Sequence, residues 1–324
     1  MAVAERRAKV VHFSSIHPTF DNRVFQKELR TLAAAGYEVV FVVPGARDEV
    51  VDGVRIRALP HPRGRLERFV LGAFRAFRGA LAERGDLYHF HDPDLIPWGL
   101  ALRLITRRPV IYDVHESYAT AIAARPYLPG GLARLLGRAY GWLEASTRRV
   151  LTLIIAERSY ARWLPDAVPV LNYPEPRQFA ELLDIGRPEP PRSIRVLYTG
   201  NLSVIRGALI YPHVLRRLPE DAEVHLIGRL EPETAAQMRA LAGDRAGLRL
   251  EGEGHHVPYE RILAAYREPW TAAAALFRDD ASHREKELTK FFEYMAAGLP
   301  IVCSRFPAWQ ELVEGHGVGL CVDP

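Results

Sequence analysis

The strongest constraint on this chain is an alternation. Short apolar runs are followed by segments of helical period, and the series occurs twice with a proline-rich break between. Strands are expected at Lys9–Ser15, Glu38–Val43, Val54–Ala58, Leu87–His91, Val110–Val114, Val150–Ala156 and Val168–Leu171. Helices are expected near Arg23–Ala35, Arg65–Glu83, Leu95–Ile105 and Leu132–Arg148; Gly36 is a good stop for the first. Asn172 to Arg192 then carries Pro174, Pro176, Pro188, Pro190 and Pro191. Beyond it strands are expected at Ile194–Thr199, Glu223–Gly228, Leu248–Glu251, Ala272–Phe277, Leu299–Cys303 and Gly319–Val322, with helices between them. Such a pattern predicts an α/β protein of two doubly wound, Rossmann-like parallel-sheet domains, 1–175 and 193–324, joined by a linker at 176–192. Sheets of this kind bind ligands beyond the carboxyl ends of their strands, so a site is expected in a cleft that the two domains face.

Composition removes several classes. At 324 residues two domains are likelier than one, and each can bury a core. Cys303 and Cys321 lie in apolar runs with no metal spacing and no disulfide framework, which suits core thiols in a reducing compartment. The first residues lack an apolar signal region, and no run approaches ~20 apolar residues, so a cytoplasmic protein is expected. Net charge is +4 and the pI about 9.1. Arg63, Arg65, Arg68, Arg75, Arg78 and Arg84 crowd one segment with Leu66, Phe69, Val70, Phe74 and Phe77. Two readings stand: a surface helix with its stripe in the core, or a basic amphipathic helix over 63–84 touching the inner face of an anionic membrane. No motif accompanies the charge that would make nucleic acid a partner.

The most informative stretch is Arg284–Arg305, which reads as loop, helix, tight turn and buried strand. Phe291, Phe292, Met295 and Ala296 give the helix an apolar face, and Gly298 with Pro300 ends it. Glu285 and Glu293 are eight positions apart, roughly 12 Å if all were helical. Glu285 is expected in the loop and Glu293 on the second turn. Unpaired amides near Glu287, Leu288 and Thr289 lie between them, and a helix start is a ready anion site. The arrangement suits a long ligand with phosphate in the middle and hydroxyls at each end. Two solvated acids at a helix start are the plainer alternative.

Thr289-Lys-Phe-Phe-Glu-Tyr-Met-Ala-Ala-Gly-Leu-Pro-Ile-Val-Cys-Ser304 closely resembles the signature of retaining GT-B glycosyltransferases of the group-1, family-4 type. The resemblance implies that Glu293 binds ribose hydroxyls and Glu285 sits by the donor sugar. It also implies that the backbone N–H groups at the helix start, near Leu288 and Thr289, hold the diphosphate, with Lys290 and Arg206 as its cations. Val110-Ile-Tyr-Asp-Val-His-Glu resembles the strand that delivers a histidine to the sugar; His115 takes that place, with Glu116 beside it. His115 and Glu285 are thus the catalytic candidates. Tyr198-Thr-Gly-Asn-Leu-Ser-Val-Ile-Arg-Gly207 resembles the turn that opens the donor domain, with Gly200 allowing close approach and Arg206 reaching phosphate. Asn201 stands where the family has a basic residue. The family also continues past the equivalent of Pro324 into further helices, which implies a truncated second domain here.

Further candidates line the first domain. His12-Phe-Ser-Ser-Ile-His-Pro-Thr-Phe-Asp-Asn-Arg resembles the family's first loop, with Asp21 and Arg23 at the cleft; an N-capping Asp21 and a surface Arg23 are equally open. Asp92-Pro-Asp94 has the form of a metal-binding DxD, but Pro93 reads as a first helical turn with Asp92 as its cap, so no metal site is expected. His91 ends a strand and is a cleft candidate. The expectation is a metal-independent, retaining glycosyltransferase without a cofactor. It would move a sugar from a nucleoside-diphosphate donor, UDP-linked by family frequency, to a glycan, lipid-linked or small-molecule acceptor in cell-envelope or polysaccharide synthesis. The rivals are a sugar-nucleotide epimerase or phosphorylase on the same fold, and a non-catalytic binding or scaffold protein.

Overall fold

The computed structural model describes residues 7–45, 47–64, 67–116, 118–123, 129–185, 189–280 and 283–323. Arg65, Leu66, Pro188 and the first six residues, all used in the reading above, lie outside them. The chain divides into two compact units, 1–172 and 173–324.

In the first unit the strands are β1 Lys9–Phe13, β2 Glu38–Pro44, β3 Glu49–Val51, β4 Val54–Leu59, β5 Leu87–Phe90, β6 Val110–Val114, β7 Thr152–Ile155 and β8 Val168–Pro169. They form one sheet in the order β3-β4-β2-β1-β5-β6-β7-β8, parallel except for β3. β3 was not expected. Asp52 and Gly53, at φ 50° and 78°, make the tight reversal that folds it back on β4; Asp-Gly is a hairpin signal that the reading above passed over. The parallel strands are buried on both sides. Val11, Phe13, Val40, Val42, Tyr88, Phe90 and Tyr112 face one core, and Val39, Phe41, Val43 and Ile56 face another with Val24, Phe25 and Leu29.

The helical segment after β1 begins irregularly. Gln26 N–H bonds Asp21 O at 3.1 Å and Glu28 N–H bonds Arg23 O at 3.1 Å, wide turns of π type over Val24–Leu29 before an ordinary helix at Arg30–Ala34. Residues five apart are roughly 140° apart around an α-helix. The wider turn closes that gap and lets Arg23 and Glu28 face the sheet together. In the basic segment the described helix runs from Arg68 to Ala82. Ala73, Ala76, Phe77 and Ala80 enter the core, while Phe69, Val70, Leu71 and Phe74 stay exposed, so the apolar stripe is only partly buried.

The second unit holds β9 Arg195–Thr199, β10 Glu223–Leu230, β11 Leu248–Glu253, β12 Ala272–Ala275, β13 Ile301–Ser304 and β14 Gly319–Val322. The sheet is all parallel in the order β11-β10-β9-β12-β13-β14. The order reverses at β9, where β10 and β12 flank it, the switch point at which such sheets bind ligands. The proline-rich stretch is not a bare tether: Pro176–Ile185 is a helix, and its Phe179 is buried in this unit's core. A helix at Pro307–Val313 also went unforeseen. Its Trp309 packs edge-on to Phe291 and Phe277 and donates its ring N–H to Lys286 O at 2.8 Å, fixing the loop before the Thr289–Ala296 helix.

Candidate functional site

Two polar constellations stand at the carboxyl ends of the two sheets. In the first unit, His12 of β1 is in register with His89 of β5, and His89 with Ile111 of β6. Side chains two apart share a face. His12, His89, His91 and Asp113 therefore project from one side, the side that the Val24–Leu29 turns cover. All four are buried. Asp113 accepts a two-pronged bond from Arg23, Nε to Oδ2 at 3.0 Å and Nη2 to Oδ1 at 2.9 Å, while Arg23 Nη1 bonds Val170 O at 2.8 Å. Arg23 is 7% exposed, so it is no surface residue. Asp21, by contrast, does cap: its Oδ1 accepts from the backbone N–H groups of Arg23 and Val24 at 2.8 and 2.9 Å.

His115 is half-buried at the end of β6. Its Nε2 lies 2.7 Å from Asp113 Oδ2, and its Nδ1 lies 3.2 Å from His17 Nε2. With Nε2 donating to the carboxylate, Nδ1 is left to accept from His17. Tyr160 holds the His115 carbonyl at 3.2 Å. His17 Nδ1 sits 3.2 Å from Asp92 Oδ1. Burial works against a charge on His17, but Asp92 outweighs it and its pKa is raised. Burial likewise raises Asp92, yet His17, Ser14 Oγ at 2.6 Å and Ser15 N–H at 2.8 Å bring it down to about 2. The result is a file in which two imidazoles stand between carboxylates, with a guanidinium at one end: Arg23, Asp113, His115, His17, Asp92. Asp113 itself lies well below the carboxylate range: burial opposes this, and His115, His91 and Arg23 outweigh it.

Several expected residues fall differently. Asp92 stands at the cap position but makes no cap bond, because its carboxylate serves Ser14, Ser15 and His17. Asp94 accepts from Ser15 Oγ at 2.8 Å, so both acids of the DxD hold the β1 loop. His91 is 2% exposed and touches His12, Asp113 and His115; it can act on a ligand only through them. Glu116 is exposed. His17, the link between His115 and Asp92, was missed; its nearness to the strand end was the available signal.

In the second unit the helix starts at Thr289 with Leu288 as its cap, and Glu293 lies on the second turn as expected. Leu288 is half-buried against the core, and the amides of Thr289 and Lys290 belong to the first turn, where no intrahelical acceptor is available. The Lys290 ammonium sits 3.5 Å over the Tyr198 ring, beside the Gly200 turn. Desolvation, and the nearby positive charge of Arg206, push its pKa well below a lysine's usual value. Arg206 is exposed and bonds Asn201 O at 3.1 Å, which brings Gly200, Arg206 and Lys290 to one place. Gly200 has φ +99°, and a side chain at Gly228 would meet its carbonyl at 2.1 Å, so the ends of β9 and β10 touch backbone to backbone.

Glu293 is 6% exposed and held at both oxygens: Tyr259 OH to Oε1 at 3.0 Å and Tyr266 OH to Oε2 at 2.8 Å. Tyr266 OH also meets Thr199 Oγ1 at 2.9 Å, tying the carboxylate to the end of β9. Neither tyrosine was foreseen, since aromatic residues in an amphipathic helix read as core. Glu285 is exposed in the turn before the helix.

The comparisons fit this geometry. The whole chain has the fold of GT-B glycosyltransferases. It covers 98% of itself and 86% of the sucrose-phosphate synthase of Thermosynechococcus elongatus at 18% identity and TM-score 0.66. A glycosyltransferase of Rickettsia africae gives 0.68 at 10% identity over 99% and 85% of the two chains. The Anabaena protein HepE, solved with UDP and glucose, gives 0.65 at 14% over 98% and 86%. Residues 22–167 match the model of Glycosyltransferase Family 4, which is consistent with the group-1 type that the Thr289–Ser304 string, outside that match, resembles. No curated protein matches the sequence. Among the described residues no helix is long and apolar enough to cross a membrane.

Proposed function

We propose that the protein is a retaining glycosyltransferase that uses a nucleoside-diphosphate sugar, with the donor held by the second unit. The observation that carries this is the Thr289–Ala296 helix. Its start offers amides and the Lys290 ammonium beside Gly200 and Arg206, and one turn on it offers a carboxylate held by two tyrosines. Amides and cations suit a diphosphate, and a fixed carboxylate suits vicinal ribose hydroxyls. The leaving phosphate gains charge as the glycosidic bond breaks, and Lys290, Arg206 and the helix start are pre-set to stabilise it. HepE was solved with UDP-glucose, which favours uridine as the base.

In the first unit His115 faces the acceptor, with Asp113 and His17 fixing its ring. Asp113 and Asp92 are buried and engaged, so neither is free to attack a sugar as the nucleophile of a double displacement. This supports front-face attack assisted by the leaving phosphate. Glu285 attends the donor sugar, and Asp21 acts by ordering Arg23. The acceptor is a hydroxyl of a glycan, lipid-linked or small molecule, and the exposed Phe69–Phe74 surface with its arginines supports contact with an anionic membrane.

A thermal-shift screen of UDP-, GDP- and ADP-sugars tests the donor. A ligand at about 100 times its Kd should stabilise by roughly 2.7 kcal/mol. Glu293→Gln should weaken the best binder at least about tenfold, or 1.4 kcal/mol; unchanged binding would refute the assignment. Conversion of donor into a new nucleotide sugar without acceptor would favour the epimerase instead.

A further inference from the structure

Beneath the Arg23–Asp113 pair lies a group that the glycosyltransferase reading does not use. One nitrogen or oxygen from each of His12, Glu28, His89 and His91 lies within 4.8 Å of the others. His12 is 0% and His89 5% exposed, and the Glu28 side chain is about one-tenth exposed. Four atoms here have no hydrogen-bond partner: His12 Nε2, His89 Nε2 and both carboxylate oxygens of Glu28. Buried polar atoms are nearly always satisfied, and four such atoms converging from three side chains call for a shared partner.

From this convergence we infer that the first unit holds a divalent transition-metal ion, zinc by preference, bound by His12 Nε2, His89 Nε2 and the Glu28 carboxylate. Imidazole nitrogens and a carboxylate are the ligands such an ion prefers. His89 Nε2 lies 4.0 Å from Glu28 Oε2, too far for a hydrogen bond. Two ligands on one zinc stand about 3.4 Å apart at the usual bond lengths of roughly 2.1 Å. That pair needs to close by about 0.6 Å, and the ligand atoms of the group all stand within 4.8 Å of one another. His12 Nδ1 is 3.0 Å from His91 Nε2, and His91 Nδ1 is 3.4 Å from Asp113 Oδ2. If each Nδ1 donates along this line, Nε2 of His12 is left bare toward the ion. A carboxylate behind an imidazole is the usual device for fixing a ligating histidine.

The Arg23 Nε–H is committed to Asp113 and only passes 3.1 Å from Glu28 Oε1, which leaves both Glu28 oxygens without a hydrogen bond. The wide turn over Val24–Leu29 thereby gains a purpose, since it brings Glu28 to the sheet in step with Arg23.

The test uses the untagged full chain, stripped with a chelator and titrated with Co²⁺ and Zn²⁺. Binding should saturate at one ion per chain, with nitrogen and oxygen ligand-field bands for cobalt and recovery of the melting temperature lost on stripping. Glu28→Gln and His89→Gln should each weaken binding by more than 100-fold. His91→Asn, which removes only the orienting partner, should weaken it about 10–100-fold. Replacing the exposed His255 and His256 by Ala should change nothing. Absence of saturable binding to the folded wild-type chain would overturn the inference even if the variants fail to fold. A thiolate charge-transfer band would place cobalt at Cys303 and Cys321 and would equally overturn it, as would full affinity in folded Glu28→Gln protein.

Discussion

Replacing Arg23 by Met tests whether the first unit is held by a buried ion pair or only by its apolar layers. The substitution removes a forked bond to Asp113 and a third bond to Val170 O. Asp113 is wholly buried and would keep only the imidazoles of His115 and His91. Breaking one side of such a pair costs about 3–5 kcal/mol, because the remaining charge cannot reach water. A domain's whole stability is about 5–15 kcal/mol, so the loss is a large share. For a unit of 172 residues it corresponds to roughly 6–20 °C in melting temperature. Calorimetry can follow the units as separate transitions, and only the first should move. Arg23→Lys keeps the charge but not the fork and should cost about 2 kcal/mol. Asp113→Asn with Arg23→Met completes a double-mutant cycle. A loss under about 1 kcal/mol for Arg23→Met, or no coupling in the cycle, would refute the argument.

Other outcomes follow from the same geometry. Gly207 has φ +79° and a side chain there would meet Leu276 O at 1.7 Å, so Gly207→Ala should cost more than about 3 kcal/mol in urea unfolding of the second unit. Lys290→Met removes a desolvated charge over the Tyr198 ring; the free protein should stay within about 1 kcal/mol of wild type, while calorimetric nucleotide affinity falls at least about tenfold. Asp92 is held down to about 2 from an unfolded value near 3.8, so its contribution is full above about pH 4 and is lost as pH falls toward 2. That contribution is about 2 kcal/mol, and the urea midpoint of Asp92→Asn should lack this share of the acid slope.

Much of the architecture was legible because parallel strands buried on both faces leave unbroken apolar runs, as at Val39–Val43 and Leu153–Ile155. The hairpin at Asp52-Gly53 was missed because Glu49–Val51 is only three residues long, too short to show a period. Glu293 and Lys290 were visible through the motif's spacing, and the helix boundaries agree. Tyr259 and Tyr266 were not, because a tyrosine that fills a core and one that holds a carboxylate have the same spacing. The histidines of β1 and β5 alternate with Phe13 and Phe90, a period-two pattern pointing to one face. Register between strands brings them together, and register is not written in either strand alone.

The helix at Pro176–Ile185 bears on how this chain can be divided. The Phe179 ring packs, tilted, with its centroid 5.9 Å from that of Tyr266, whose hydroxyl grips Glu293. A fragment begun after the prolines would lack that ring and leave a hole under the tyrosine. Anyone wishing to express the second half alone should start at Tyr173, or expect a fragment that folds loosely where it must hold its ligand.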